Sequence, residues 1–469
     1  MQPTTLDNLI NAVHGQAVGV TGGAVFHRIQ TDSRKVQPGD VFWPLCGQRF
    51  DGHNFVTQAF ENGAIASVVS RHHAKCTGSQ KSTILVSDTN QALQNFARWH
   101  RQRWGKPVIG VTGSCGKTTT REAIHSVLST VMTGCQSHSN NNNHFGVPYT
   151  LLNIRPDDQF AVVECGASAL GEMQDLVSCC QPTIGVITGV SNSHLEGFQS
   201  LQGIYTEKTR MVSSLKSDEL AIVAGDNRKL RSLVEKLSCR TLYVGENSDN
   251  HVQIESVRLN NEQTEFQVGK ETFCVPLAGK HNAQAAAIAV AIGREFGLST
   301  NAIREGLLNI EPIPGRCQVE RFGGWTVIND TYNASPTSTL AACRLLRDWD
   351  APFSAQKHLV LGDMLELGDR SAAFHQKLGR QIAASGIDQL HTYGVDAEYI
   401  VAGAVEEGFP SMRTNASNSL TELCKQLAGS LSQNDVVLVK GSRGMRMERV
   451  VEFLRYQFLC SNLNLAKAA

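Results

Sequence analysis

The stretch Pro107-Val-Ile-Gly-Val-Thr-Gly-Ser-Cys-Gly-Lys-Thr-Thr-Thr120 joins residue types that can hold and polarise a phosphate chain. Gly113 and Gly116 free the backbone to turn its N–H groups inward onto an anion, with Ser114 and Cys115 between them. Lys117 brings a point charge to the outer phosphates, Thr118 offers a hydroxyl to Mg²⁺, and Thr119 continues the helix start. The strict phosphate-loop spacing is not met, because Val111 stands where its first glycine belongs. A Gly-rich turn with a surface lysine is the bland alternative, and it leaves the strand-loop-helix order unexplained. The expected ligand is a nucleoside triphosphate.

Other candidates follow apolar runs. Glu164 ends the run 160–163, where a carboxylate at the carboxyl end of a parallel strand is placed to hold Mg²⁺. Alone it reads equally well as a cap or a surface ion pair. His194 follows the run 184–187 in a polar loop at the next strand end. Lys208, in Tyr205-Thr-Glu-Lys-Thr-Arg-Met, reads by spacing alone as an exposed helical lysine. Asn329-Asp-Thr-Tyr-Asn-Ala-Ser-Pro336 is dense in turn formers, with Asp330 or Ser335 as a helix cap. Lys440-Gly-Ser-Arg-Gly-Met-Arg-Met447 reads either as a basic loop without a partner or as a phosphate or carboxylate receptor.

Elements of an α/β protein must position these groups. At 469 residues the chain has length for roughly three domains. Gly105-Lys106-Pro107 breaks the helical pattern of 92–104, and Glu311-Pro-Ile-Pro-Gly-Arg316 interrupts a second helix. We therefore expect domains at 1–105, 106–312 and 313–469. The apolar runs 160–163, 184–187 and 220–223 read as buried parallel strands. An alternating, antiparallel excursion covers 252–275, and an Ala-rich helix covers 283–296. Strands at 326–329, 358–362, 389–394 and 435–440 alternate with helices and predict a second, smaller doubly wound, Rossmann-like sheet.

Forty-three basic and 43 acidic residues balance to zero, so nothing points to nucleic acid or an anionic membrane. Thirteen scattered cysteines without a CxxC pair argue for reduced thiols rather than a disulfide framework or a zinc site. Without a signal-peptide pattern or a run of about 20 apolar residues, a cytoplasmic protein is expected.

Gly113-Ser-Cys-Gly-Lys-Thr-Thr119, with Glu164, His194 and Lys208 in order, resembles the Mur ligase family, whose ATP loop has its own spacing. The resemblance runs nearly end to end. It implies that Thr118 and Glu164 hold one Mg²⁺, and that His194 and a carbamylated Lys208 serve a second. His281-Asn282, Arg316 and Asp330 match adenosine-facing positions. Three motifs are similar to the member of the family that adds a dipeptide: 329–336, Leu361-Gly-Asp-Met-Leu-Glu-Leu-Gly368 and 440–448. Asn333 lies in the first of these and is taken as substrate-binding. Asp32, Ser33 and Arg34 in Thr31-Asp-Ser-Arg34, together with Pro38-Gly-Asp40 and Phe50-Asp-Gly-His-Asn-Phe55, resemble its uridine-nucleotide domain. Asn140, Asn142 and Asn143 match its muramoyl contacts. Two positions depart: Ala285 replaces a second asparagine, and Thr209-Arg210 follow Lys208 in place of a glycine and an acid.

The resemblance implies amide formation through an acyl phosphate, with ATP, UDP-N-acetylmuramoyl-tripeptide and D-alanyl-D-alanine as substrates; a monomer is the expected unit. No Gly-x-Ser-x-Gly elbow or HExxH helix suggests a covalent nucleophile or a zinc protease. The rivals are a sister ligase adding a single amino acid, whose Asp-Asn-Pro-Arg-type signature is missing, and a catalytically silent nucleotide-binding scaffold.

Overall fold

The computed structural model describes residues 1–20, 23–47, 50–76, 81–260 and 262–468, with side chains left out at 75, 76 and 460–468. Three main sheets succeed one another along the chain. The first has five strands in the order Gln16–Val18, Thr83–Val86, Ala66–Ser70, Val41–Phe42, Ile29–Gln30, all parallel except the first. Helix Thr89–Trp104, capped by Asp88, closes this unit; its Leu93, Phe96 and Ala97 join Trp43 and Phe26 in the core.

The central sheet has seven strands, all neighbours parallel: Gly134–Gln136, Phe160–Glu164, Val108–Thr112, Ile184–Ile187, Leu220–Ala224, Arg240–Gly245 and Val252–Gln253. The inner runs 108–111, 160–163, 184–187 and 220–223 are apolar throughout because both faces are covered. Ile109, Val111, Val162 and Val186 pack on one face, whereas Val108, Ala161, Val163 and Ile187 pack on the other. Strand order reverses around Val108–Thr112, which opens a crevice at the carboxyl ends of its neighbours. Register pairs Val111 with Glu164 and Thr112 with Ile187. One parallel ladder therefore delivers the loop at 113–116, Glu164 and the approach to His194 to the same edge.

The Ala-rich segment forms helix Asn282–Glu295, with Ala283, Ala286, Ala287 and Ala289 buried. Small side chains let it lie close to helix Lys117–Leu128. A Cβ on Gly293 would meet Ile303 Cγ1 at 2.8 Å and Val127 Cγ1 at 3.0 Å. The expected antiparallel excursion is real over Glu255–Val275, as three strands, but Val252–Gln253 instead extends the parallel sheet.

The last sheet runs Gln318–Phe322, Trp325–Asp330, Val436–Lys440, Lys357–Gly362, Gln389–Tyr393, Thr414–Ser417, with only the first strand antiparallel. The α/β architecture expected from the apolar runs is the one observed. No helix is long and apolar enough to cross a membrane among the described residues.

Candidate functional site

Between the strand ends of the central and last sheets lies a cavity of about 830 Å³. The phosphate loop forms one wall. Gly113 has φ +151°, and a Cβ there would meet Thr188 Oγ1 at 2.0 Å, so the chain can turn only without a side chain. Ser114 ties the loop to the next strand end: its N–H donates to Gly189 O (2.9 Å) and its hydroxyl to Ser191 O (3.0 Å). Ser114, Cys115, Gly116, Lys117, Thr118 and Thr119 all face the cavity.

Lys117 begins its helix and donates only to Gly113 O, at 2.9 Å. The cavity gives water access to part of its side chain, but the amine is enclosed by protein. That burial pushes its pKa down, against the pull of Glu164. Glu164 is buried, and its Oε1 accepts from Asn142 Nδ2 at 2.9 Å. Its Oε2 has no hydrogen-bond partner. The nearest cation, Arg121 Nη1, stands 3.9 Å away and donates instead to the Ser137 and Ser139 carbonyls. A buried carboxylate oxygen left open, in a cavity also lined by Thr118, suits a hard divalent cation.

Lys208 is not an exposed helical lysine. It is buried at 1% exposure, donates to Ala167 O at 2.9 Å, and lies 5.1 Å from the Phe198 ring centre. The residues that follow it do not crowd it, since Arg210 turns away to Gln174 Oε1 (2.7 Å) and the buried Glu207. Desolvation, helped by the charge of Lys117, pushes the Lys208 pKa down to about 7. Sequence spacing missed this because the packing of Phe198 beneath the helix is a tertiary fact.

His194, in the left-handed region at φ 51°, caps the short helix Leu195–Phe198. It lines the cavity, and its Nδ1 bonds the carboxylate of Glu366, from the last unit. That bond holds the Glu366 carboxyl below its usual range. Sequence reasoning passed over Glu366, although its motif was noted, because the partners lie 172 residues apart.

Arg316 Nη2 donates to Thr118 Oγ1 at 2.8 Å, and its guanidinium stacks 4.1 Å from the Tyr332 ring centre. Asn282 lines the cavity while its amide donates to Ala278 O at 2.9 Å; His281 and Ala285 face the same space. Asp330 is not a helix cap. Strand register sets it opposite Lys440, whose Nζ donates to Asp330 Oδ2 (2.7 Å) and Asn333 O (2.9 Å). Lys440 is therefore not a partnerless basic residue. Ser335 does cap helix Pro336–Asp348, in a capping box with Ser338.

Asn142, Asn143 and Asn333 also face the cavity, whereas Asn140 does not line it. Asp32, Ser33 and Arg34 lie apart from the cavity lining, on the first unit. There Asp32 caps a short turn and pairs with Arg34 at 2.8 Å, and Ser33 donates to Gln58 Oε1 at 2.7 Å. Cys46, Asp51 and His53 cluster with metal-like spacing in the same unit. Ser70 N–H donates to His53 Nε2 at 3.0 Å, so Nδ1 carries a proton toward Asp51 and is closed to a metal. Every cysteine whose side chain is described is a free thiol.

Models of the Mur ligase middle domain, the Mur ligase glutamate ligase domain and the Mur ligase family catalytic domain match residues 111–293, 315–443 and 25–101. The chain is 38% identical over 433 residues to the UDP-N-acetylmuramoyl-tripeptide–D-alanyl-D-alanine ligase of Bacillus subtilis, covering 92% of this chain and 93% of that one. The chain belongs to the Mur ligase family. The ligase of that name from Escherichia coli is 32% identical, covering 98% of this Mur ligase and all of its relative. A MurF crystal structure from Acinetobacter baumannii superposes with a TM-score of 0.88 at 31% identity, covering 97% and 99% of the two chains. MurF from Thermotoga maritima in complex with ADP gives 0.82 at 28% identity, covering 93% and 98%.

Proposed function

We infer that this Mur ligase joins D-alanyl-D-alanine to UDP-N-acetylmuramoyl-tripeptide at the expense of ATP, in peptidoglycan precursor synthesis. The observation that carries the reading is a single cavity in which a recessed lysine of a phosphate loop meets a buried, half-partnered carboxylate. A sister ligase adding one amino acid is disfavoured by the near full-length likeness to dipeptide-adding enzymes. The cytoplasm is the proposed compartment and a monomer the proposed unit. Residues 1–105 would hold the uridine nucleotide, 106–312 ATP, and 313–469 the dipeptide.

A carboxylate is a poor electrophile, and transfer of the γ-phosphoryl group from ATP to the terminal carboxylate of the tripeptide gives an acyl phosphate. The amine of D-alanyl-D-alanine then attacks the acyl carbon, and phosphate leaves as the amide forms. The N–H groups of 113–119 and Lys117 stabilise charge on the moving phosphoryl, a role of positioning and electrostatics. Arg316, Asn282 and Asp330 are assigned to ATP, Asn140, Asn142 and Asn143 to the muramoyl moiety, Asn333 to substrate, and Asp32, Ser33 and Arg34 to the uridine nucleotide.

Thr118 and Glu164 would hold one Mg²⁺, and His194 with a carbamylated Lys208 would hold a second. When bound, Mg²⁺ would supply charge neutralisation for the phosphate chain. The lowered pKa of Lys208 favours the carbamate, because only the neutral amine adds to CO₂. Seating of the last unit on the central one excludes water from the acyl phosphate. The test is phosphate release by the purified protein. Release should require ATP, the tripeptide nucleotide and the dipeptide together; equal turnover with a single amino acid would overturn the assignment, and none with any amine would favour a silent scaffold.

A further inference from the structure

His194 and Glu366 are both left-handed, at φ 51° and 63°, a conformation rare for residues bearing a Cβ. The backbone leading into Glu366 is held by its neighbours. On the side of Glu366, the Asp363 carboxylate accepts from Val395 N (3.1 Å) and Ala397 N (2.6 Å). Met364 N donates to His375 Nε2 at 2.9 Å, and Leu365 N donates to Ser442 Oγ at 2.8 Å. Three consecutive anchors thus present Glu366, which stays more than half exposed, to the cavity rim. Across the gap, Glu196 N donates to Glu366 O at 3.2 Å, so the backbones of the two units are joined beside the side-chain bond.

An ionised carboxylate can only accept, so His194 Nδ1 carries the proton of this bond, and Nε2 is the ring nitrogen that Glu366 leaves unengaged. The Phe198 ring, edge-on with centroids 6.4 Å apart, limits rotation of the imidazole. A carboxylate behind a histidine is the usual way to fix the tautomer of a metal-binding imidazole. We propose that Glu366 is a positioning residue for the ligase reaction, making His194 a competent cation ligand only when the last unit is seated on the central one. This rests on the cation-binding reading of His194 given above. The phosphoryl-transfer site is then incomplete until the unit that carries the amine substrate is in place, which protects the acyl phosphate from water.

The test is Mn²⁺ binding to the full chain with ADP, followed by the electron paramagnetic resonance of free Mn²⁺ and without turnover. Glu366→Ala should weaken Mn²⁺ binding by about tenfold or more, the range seen when such supporting carboxylates are lost. Glu366→Asn, which tolerates the left-handed backbone but is too short to reach, should lose as much and guards against misfolding. Glu366→Gln still accepts from Nδ1–H and should stay within about threefold of wild type. In a His194→Ala background, removing Glu366 should cost nothing further. Wild-type affinity in both Glu366→Ala and Glu366→Asn, additive losses with His194→Ala, or equal losses in the Gln and Ala variants would each overturn the inference. Failure of the wild type itself to bind Mn²⁺ would instead overturn the cation reading on which it rests.

Discussion

Buried charged groups of the central unit stand short of partners, while those at the strand ends of the last unit are paired off. Glu164 Oε2 has no hydrogen bond, and Lys117 and Lys208 each reach only a backbone carbonyl. Asp330 and Lys440 satisfy one another at 2.7 Å, and both Asp363 oxygens accept backbone N–H groups. Both regions hold buried charge at the ends of parallel strands, so sheet geometry alone does not separate them. What separates them is the debt left open. Unsatisfied buried polarity is costly and persists where something else completes it, whereas the Asp330–Lys440 pair, which also lines the cavity, is complete without a ligand.

Removing one member of the Asp330–Lys440 pair should produce the largest effect. Lys440→Ala leaves Asp330 uncompensated in a buried place and should cost about 3–5 kcal/mol of stability, read by denaturant unfolding. A neutral result would show that Asp330 does not depend on Lys440 and erase the contrast. Lys117→Ala tests the other side: turnover should fall by roughly 10²–10³ with unfolding unchanged. Wild-type turnover would mean the loop is not a catalytic phosphate site. Lys208→Ala should also lose activity, with partial return in acetate, because a small carboxylate replaces the carbamate. Full activity without acetate would make the lysine a packing residue.

The strands were legible because sheets covered on both faces demand continuous apolar runs, as at 160–163 and 184–187. Gly113 and Lys117 were legible for a local reason, since loop and helix start are contiguous. The pairings that define the two regions were not. Lys440 meets Asp330 across 110 positions, and Glu366 meets His194 across 172. Neither partner differs in type or spacing from a solvated surface residue. The burial of Lys208 was hidden in the same way.

A pH series sharpens the scaffold side. Burial pushes His100 and His391 down to about 4, so both fold as neutral rings. Between that value and the ordinary histidine pKa of about 6.5, the unfolded chain binds more protons than the folded one. Stability should be fullest above pH ~6.5 and decline toward pH ~4, by up to about 3 kcal/mol per histidine. His391→Gln should flatten part of that decline in thermal melts; an unchanged slope would show that this ring takes no part. The smallest effect is expected at Ala285→Asn. One or two restored hydrogen bonds of about 0.5–1.5 kcal/mol each should tighten ATP binding two- to tenfold per bond, measured by calorimetry. Unchanged affinity would mean that adenine is read without position 285.

Helix Asn282–Glu295 meets the cavity along its first turn and lies along helix Lys117–Leu128 farther on, through alanines and Gly293. Alanine has almost no rotamer freedom to regain, so little local entropy is released if either helix frays alone. The two helices should therefore open as one cooperative block in amide hydrogen exchange. A nucleotide gripping residue 117 at one end and 282 at the other would then slow exchange far beyond the atoms it touches, out to Leu128 and Glu295.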